Sequence, residues 1–224
     1  MRIRRKRNLF SRLCAVSDYL LISDRDVLDA REAELKKDYI DLKSVFGNDN
    51  PVRMEVGCGK GGFAVESAVR EPEVNFFAVE LLDNIVVMAA ELAKEKAVPN
   101  VKFFNCGADY LARYIKPLSL QKIYLNFSPP FPGKRYENRR LTKDELVKAY
   151  KLFLKDGGEV LQKTDDKEFF DYSFDQFKKF GFSVTDISDK INAEEYGNVE
   201  TEYEKKFREK GMPVYALSAV KIDF

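Results

Sequence analysis

Apolar positions along this chain follow two periods. Strand-like runs, built around Val, Phe and other apolar residues, occupy residues 52–57, 74–80, 101–106, 122–127 and 159–163. Runs of that length bounded by turn residues predict buried strands. Between them the period changes. Ile85, Met88, Ala89, Leu92 and Ala93 are spaced as one face of a helix. Leu146, Ala149, Tyr150 and Phe153 repeat that spacing. Thr142 stands where an N-cap would, Glu145 where its capping-box partner would, and Gly157-Gly158 where the helix would stop. Phe170, Phe174 and Phe177 give a further helical face, stopped by Gly181. Two more strand-like runs, 182–187 and 214–220, lie on either side of a polar segment. Strands alternating with helices predict an α/β fold, a mostly parallel sheet with right-handed crossovers. Ligands in such sheets bind outside the carboxyl ends of the strands.

The first run ends in Met54-Glu55-Val56-Gly57-Cys58-Gly59-Lys60-Gly61-Gly62-Phe63, a turn with alternating glycines that opens a helix. Glycine lets the backbone turn tightly and lets a ligand approach. The spacing is neither G-x-G-x-x-G nor a phosphate loop, since no Ser or Thr follows Lys60. The pattern Glu55-x-Gly57-x-Gly59-x-Gly61 resembles the first motif of S-adenosylmethionine-dependent methyltransferases. The alternative is a tight turn without a ligand. Glu80 closes the second run. An acid there can accept hydrogen bonds from both hydroxyls of a ribose; otherwise it is a surface glutamate at a strand end.

Composition narrows the chemistry. At 224 residues, with a net charge of +1, the chain suits one soluble domain with appendages. It has no histidine, which removes Ser-His-Asp triads and His-based metal sites. Its three cysteines are widely spaced and form neither a disulfide framework nor a zinc pattern. No apolar run is long enough to span a membrane, and the basic N-terminus lacks the features of a signal peptide. A reduced cytoplasm fits. Residues 1–12 carry Arg2, Arg4, Arg5, Lys6, Arg7 and Arg12 and no acid, as either a solvated tail or a phosphate-binding arm.

The run 122–127 delivers Asn126-Phe127-Ser128-Pro129-Pro130-Phe131-Pro132-Gly133-Lys134-Arg135-Tyr136-Glu137-Asn138-Arg139-Arg140-Leu141-Thr142. Prolines stiffen the exit from the strand. Lys134, Arg135, Arg139 and Arg140 could bind phosphates, and Phe131 and Tyr136 could stack on a base. This stretch resembles the signature of the tRNA (guanine-N7-)-methyltransferases. So do Lys163-Thr164-Asp165, and Thr201-Glu202-Tyr203-Glu204-Lys205-Lys206-Phe207 followed by Gly211-Met212-Pro213-Val214-Tyr215. The resemblance covers nearly the whole chain, with residues 1–50 as a basic arm and appended helical segment and 51–224 as the S-adenosylmethionine-dependent methyltransferase domain. It implies a class I methyltransferase fold with a seven-stranded sheet and helices on both faces. It also implies S-adenosylmethionine as cofactor and a guanosine of the tRNA variable loop as substrate, with no metal, in a monomer or homodimer.

On that resemblance Glu55, Gly57, Gly59, Gly61, Glu80 and Asp109 face the cofactor. Asp165 and Glu204 face the guanine as catalytic carboxylates, and Thr201 and Tyr203 join the basic loop on the substrate. Pro129, Phe131, Gly133 and Gly107 stand where the family has Asp, Trp, Lys and Asp. Guanine N7 carries a lone pair in the neutral base, so no proton must leave before it attacks a sulfonium methyl, and alignment matters most. The alternatives are a relative that binds tRNA or cofactor without transferring methyl, a small-molecule enzyme, and a nicotinamide-dependent oxidoreductase, which the glycine spacing disfavours.

Overall fold

The computed structural model describes residues 8–23, 36–191 and 199–222. The five bases of residues 1–7 lie outside the described residues. One sheet runs through the molecule in the order β1-β4-β3-β2-β5-β6-β8-β7. Its strands are β1 (Leu20–Ile22), β2 (Val52–Val56), β3 (Asn75–Glu80), β4 (Val101–Asn105), β5 (Leu120–Asn126), β6 (Leu154–Thr164), β7 (Phe182–Asp186) and β8 (Tyr215–Lys221). Neighbouring strands from β1 to β6 pair in parallel, and β8 runs antiparallel to both β6 and β7.

The sheet has eight strands where seven were expected. The additional one is β1, from the N-terminal segment, with Leu20 opposite Phe103 and Ile22 opposite Asn105. Leu20 is buried, and the amide of Phe103 donates to the carbonyl of Tyr19 at 2.7 Å. Three residues are too few to read from periodicity, but they cover the β4 edge.

Successive residues of the inner strands point to opposite faces, and each face has its own core. Phe76, Ala78, Val101 and Phe103 join one core with α1 (Leu9–Ala15), α3 (Gly62–Arg70) and α4 (Asp83–Glu95). Phe77, Val79, Val56 and Phe104 join the other with α5 (Leu111–Tyr114), α6 (Asp144–Phe153) and α7 (Lys167–Lys179). A short helix, α2 (Leu42–Phe46), precedes β2, and α8 (Glu202–Glu209) precedes β8. Burial on both faces is why the strands are rich in apolar residues on both sides of the pleat.

Three local expectations need correction. The buried stripe of α4 is Val86, Val87, Ala89, Ala90 and Ala93, while Met88 and Leu92 flank it, partly buried. Small alanines let this helix come close to the glycine turn. Thr142 does not cap α6: the cap residue is Lys143, with no side-chain bond, and buried Thr142 Oγ1 lies 2.8 Å from Ser173 Oγ on α7. The glycine pair does not stop α6 either. That helix ends at Phe153 and runs directly into β6. Leu154 pairs with Leu120 and Glu159 with Lys122, so Gly157-Gly158 lies in an irregularity of the strand. A Cβ at Gly158 would stand 2.8 Å from the Lys155 carbonyl and 3.1 Å from that of Gln121.

Candidate active site at the strand ends

The strand order reverses between β2 and β5, and the carboxyl ends on either side of that point form the site. The β2 end carries Glu55, buried, with Oε1 accepting from Asn126 Nδ2 at 2.9 Å. Its Oε2 is buried without a hydrogen-bond partner, though the Ala64 amide at the start of α3 lies close enough to favour its charge. Burial pushes this carboxyl up to about 7, against the opposing pull of Asn126 and Lys163. Such an orphaned acid suits a cationic ligand group.

The glycines divide their duties. Gly57, Gly59 and Gly61 all have positive φ, at 82°, 56° and 78°. A Cβ at Gly59 would meet nothing within 4 Å, so the backbone there is open to a ligand. A Cβ at Gly61 would stand 2.6 Å from that of Ala89, so Gly61 serves the contact between α3 and α4. The Gly59 amide donates to Glu80 Oε2 at 3.1 Å, and the Leu82 amide to Glu80 Oε1 at 2.9 Å. Glu80 thus stands beside the glycine turn as expected, already oriented. Asn105 Nδ2 holds the chain after β3 through the Glu80 and Leu81 carbonyls. Asp109, in the 3₁₀ turn Ala108–Tyr110 beyond β4, is paired with Lys143 at 2.5 Å.

The substrate side differs from expectation at several positions. Asp165 follows β6 at the same edge, partly exposed, and among the described residues nothing pairs with its carboxylate. Glu204 is fully buried; Oε2 takes Lys163 Nζ at 2.7 Å and Oε1 takes an Arg208 nitrogen at 2.8 Å. Both oxygens are engaged by cations and the side chain is not exposed in this structure, whereas the resemblance set it against the guanine. Thr201 is the N-cap of α8, its Oγ1 accepting from the Glu204 amide at 3.0 Å. Tyr203 is exposed and stacks on Phe127, with ring centroids 6.1 Å apart; Phe207 lies 5.8 Å from the same ring.

The basic loop splits in two. Lys134, Arg135 and Arg139 are exposed on the 3₁₀ segment Lys134–Arg139. Arg135 covers the Tyr136 ring and Arg139 the Phe131 ring, each at 4.5 Å. Arg140 is buried instead. It donates to the carbonyls of Pro130 at 2.9 Å and Phe131 at 3.3 Å, so it clamps the proline loop and is not available to a phosphate.

A sequence model of a family described as putative methyltransferases matches residues 49–217. Similar curated proteins carry one name. A tRNA (guanine-N(7)-)-methyltransferase of Bacillus licheniformis is 41% identical over 177 residues, 79% of this chain and 83% of that protein. One of Streptococcus uberis is 33% identical over 220 residues, 98% of this chain and 99% of its own. The chain belongs to the tRNA (guanine-N7-)-methyltransferase family. Among solved structures, the 16S rRNA methyltransferase KamB has the same fold, with a TM-score of 0.60 at 13% identity, covering 84% of this chain and 96% of that one. The class I methyltransferase fold holds, with one further strand at its edge.

Within that family the proline loop reads differently here. Pro129 is exposed, and neighbouring Ser128 is buried with an unpartnered Oγ. Asn126, Phe127 and Lys163 stand within the quoted motifs without a role of their own, and the structure gives each one a partner at the site. Lys163 had a signal: a lysine inside the run Val160-Leu161-Gln162-Lys163-Thr164 needs a buried counter-charge. Asn126 had none, because its partner is set by the pairing of β5 with β2. Among the described residues no group of His, Cys, Asp and Glu could hold a metal, and no helix is long and apolar enough to cross a membrane.

Proposed function

We propose that this protein transfers a methyl group from S-adenosylmethionine to N7 of a guanosine in the variable loop of tRNA, in the cytoplasm. The observation that carries this reading is the juxtaposition at one sheet edge of three features. They are an orphaned buried acid beside an open glycine turn, an unpaired Asp165, and the exposed cations of the proline loop.

The residues fit the cofactor. Glu55 would take a cationic group, Glu80 the ribose hydroxyls, and the Gly57–Gly59 backbone would allow close approach. When bound, S-adenosylmethionine supplies an electrophilic methyl group. Asp165 accepts hydrogen bonds from the guanine N–H groups and balances the positive charge the purine gains. Its freedom from protein partners leaves it available for that, whereas both Glu204 oxygens are engaged by Lys163 and Arg208. Lys134, Arg135 and Arg139 hold phosphates, and Tyr203 offers an exposed ring at the same edge. No general base is needed, because the attacking nitrogen bears no proton, so Pro129 in place of an acid does not remove a required proton acceptor.

Incubating the protein with labelled cofactor and unmodified tRNA, then digesting to nucleosides, should yield 7-methylguanosine. Label remaining wholly on the cofactor would defeat the reading. Asp165→Asn should lower kcat/KM by about a hundredfold or more while thermal unfolding is unchanged.

A further inference from the structure

Lys163 takes no part in the reaction as described, yet its surroundings join the pieces of the site. Its side chain is almost wholly buried on β6, two residues before Asp165. The ammonium donates to Glu204 Oε2 at 2.7 Å and to the Val199 carbonyl at 3.2 Å. It lies 5.3 Å from the ring centroid of Phe63, on the helix that the glycine turn opens. One cation therefore meets the chain two residues before the C-terminal motif, the acid within that motif, and a ring of the cofactor helix. A buried charge is costly to desolvate, and an apolar side chain would serve packing as well or better.

We propose that Lys163 is a positioning residue for methyl transfer: held between Glu204 and Phe63, its ammonium fixes α8 over the strand ends and sets the electrostatic field at Glu55. The proposal rests on the methyl-transfer reading and deepens it. Lys163 on β6 pairs in register with Asn126 on β5, whose side-chain amide donates to Glu55 at 2.9 Å, so the ammonium and this carboxyl belong to adjoining strands of one site. Glu80 from β3 and the Ala64 amide at the start of α3 also act on Glu55. Lys163 and Glu80 are the charges, and they oppose each other: the cation favours ionised Glu55 and the anion disfavours it. Cys58, on the turn itself, is a thiol pushed upward by burial and by these acids, so it stays neutral. Burial lowers the Lys163 ammonium from its ordinary value, Glu204 and Glu55 act against that lowering, and Arg208 adds to it.

Removing the ammonium leaves Glu55 harder to ionise. A lysine that only braced the fold would lower the rate without moving the pH dependence. The test is the pH profile of kcat/KM for the cofactor, which reports groups of the free enzyme, in the wild type, Lys163→Met and Lys163→Arg. Lys163→Met should lose activity on the order of a hundredfold, with its acidic limb moved to higher pH. Lys163→Arg should keep the wild-type limb and recover much of the rate. A Met variant with wild-type kinetics, or one that loses rate with the limb unmoved, overturns the proposal. Should Lys163→Met not fold, Lys163→Met/Glu204→Leu removes both buried charges and is judged by the same limb.

Carbon-13 titration of the Glu55 carboxyl without cofactor reads the field directly. An upward move in the Met variant supports the proposal, and no move overturns it. Failure of the wild type to transfer methyl would instead defeat the methyl-transfer reading, and the titration would still decide the field.

Discussion

The guanidinium carbon of Arg140 lies 4.4 Å from the ring centroid of Tyr172, and its neighbour Arg139 sits over Phe131 on the outside of the same loop. Two adjacent arginines therefore do different work. Arg140→Ala removes a buried guanidinium with its bonds to the Pro130 and Phe131 carbonyls and to Glu168, and should destabilise the protein by about 2–4 kcal/mol, read by denaturant unfolding. Arg139→Ala should leave unfolding within about 0.5 kcal/mol of wild type. It should instead weaken tRNA binding and lower the slope of log affinity against log salt by about one. Equal salt slopes in Arg139→Ala and wild type would remove Arg139 from the tRNA contact.

The glycine turn makes a second separable pair. Gly61→Ala adds a methyl 2.6 Å from the Ala89 Cβ at a left-handed φ, and should cost about 2–4 kcal/mol of stability. Gly59→Ala meets open space, so its cost is the backbone strain alone, about 1–2 kcal/mol. Its larger effect should be on cofactor affinity, measured by calorimetry, because the methyl enters the space left for the ligand. If Gly59→Ala binds cofactor like the wild type, the ligand does not approach there.

Glu55 gives a pH dependence with a definite sign. Its folded value, about 7, lies above its ordinary 4.5, so the folded protein holds the proton more tightly. Its contribution is intact below about pH 4.5 and is lost as pH rises to about 7, a loss of about 3 kcal/mol. Glu55→Gln should flatten that part of the stability curve. Cofactor binding near pH 6.5 should release a fraction of a proton, since a cation favours the ionised acid. Calorimetry in buffers of different ionisation enthalpy measures this, and the Gln variant should release none.

Thr201 is a cap in this structure, so Thr201→Ala should destabilise by about 1 kcal/mol and Thr201→Ser should restore it. If Ser restores unfolding but not methyl transfer, the methyl group of Thr201 contacts the substrate as well.

Much of this molecule was readable in the chain because its strands are buried on both faces. The runs that became β2 to β5, β7 and β8 fell within two residues of their observed bounds, since an apolar strand between two helical layers has little choice, whereas β6 begins five residues earlier than its run. The glycine turn and Glu80 were legible for a similar reason: strand end, tight turn and acid recur at a fixed spacing. What escaped were relations between distant segments. Arg140, Arg139 and Lys134 look alike in sequence, and only the fold puts one of them under Tyr172. Glu204 reads as a functional acid until Lys163 and Arg208 are seen to close on it. Asp166 gave a signal that was passed over: it precedes the apolar face of α7 and caps it, accepting from the Phe169 amide at 2.7 Å. The strand β1 gave almost none, being three residues long.

That short strand bears on how the basic N-terminus can be studied. Ser23 donates from both its amide and its hydroxyl to the Asn105 carbonyl, at 3.3 and 2.8 Å, so β1 is fastened to β4 beside the site. A truncation meant to remove only the bases of residues 1–7 must stop short of Leu9, because Leu9 and Leu13 pack on the core and Arg12 pairs with Glu91 at 2.6 Å. Cut further, through β1, it would bare a hydrophobic strand flank open to self-association, and lost tRNA affinity would then be indistinguishable from lost protein.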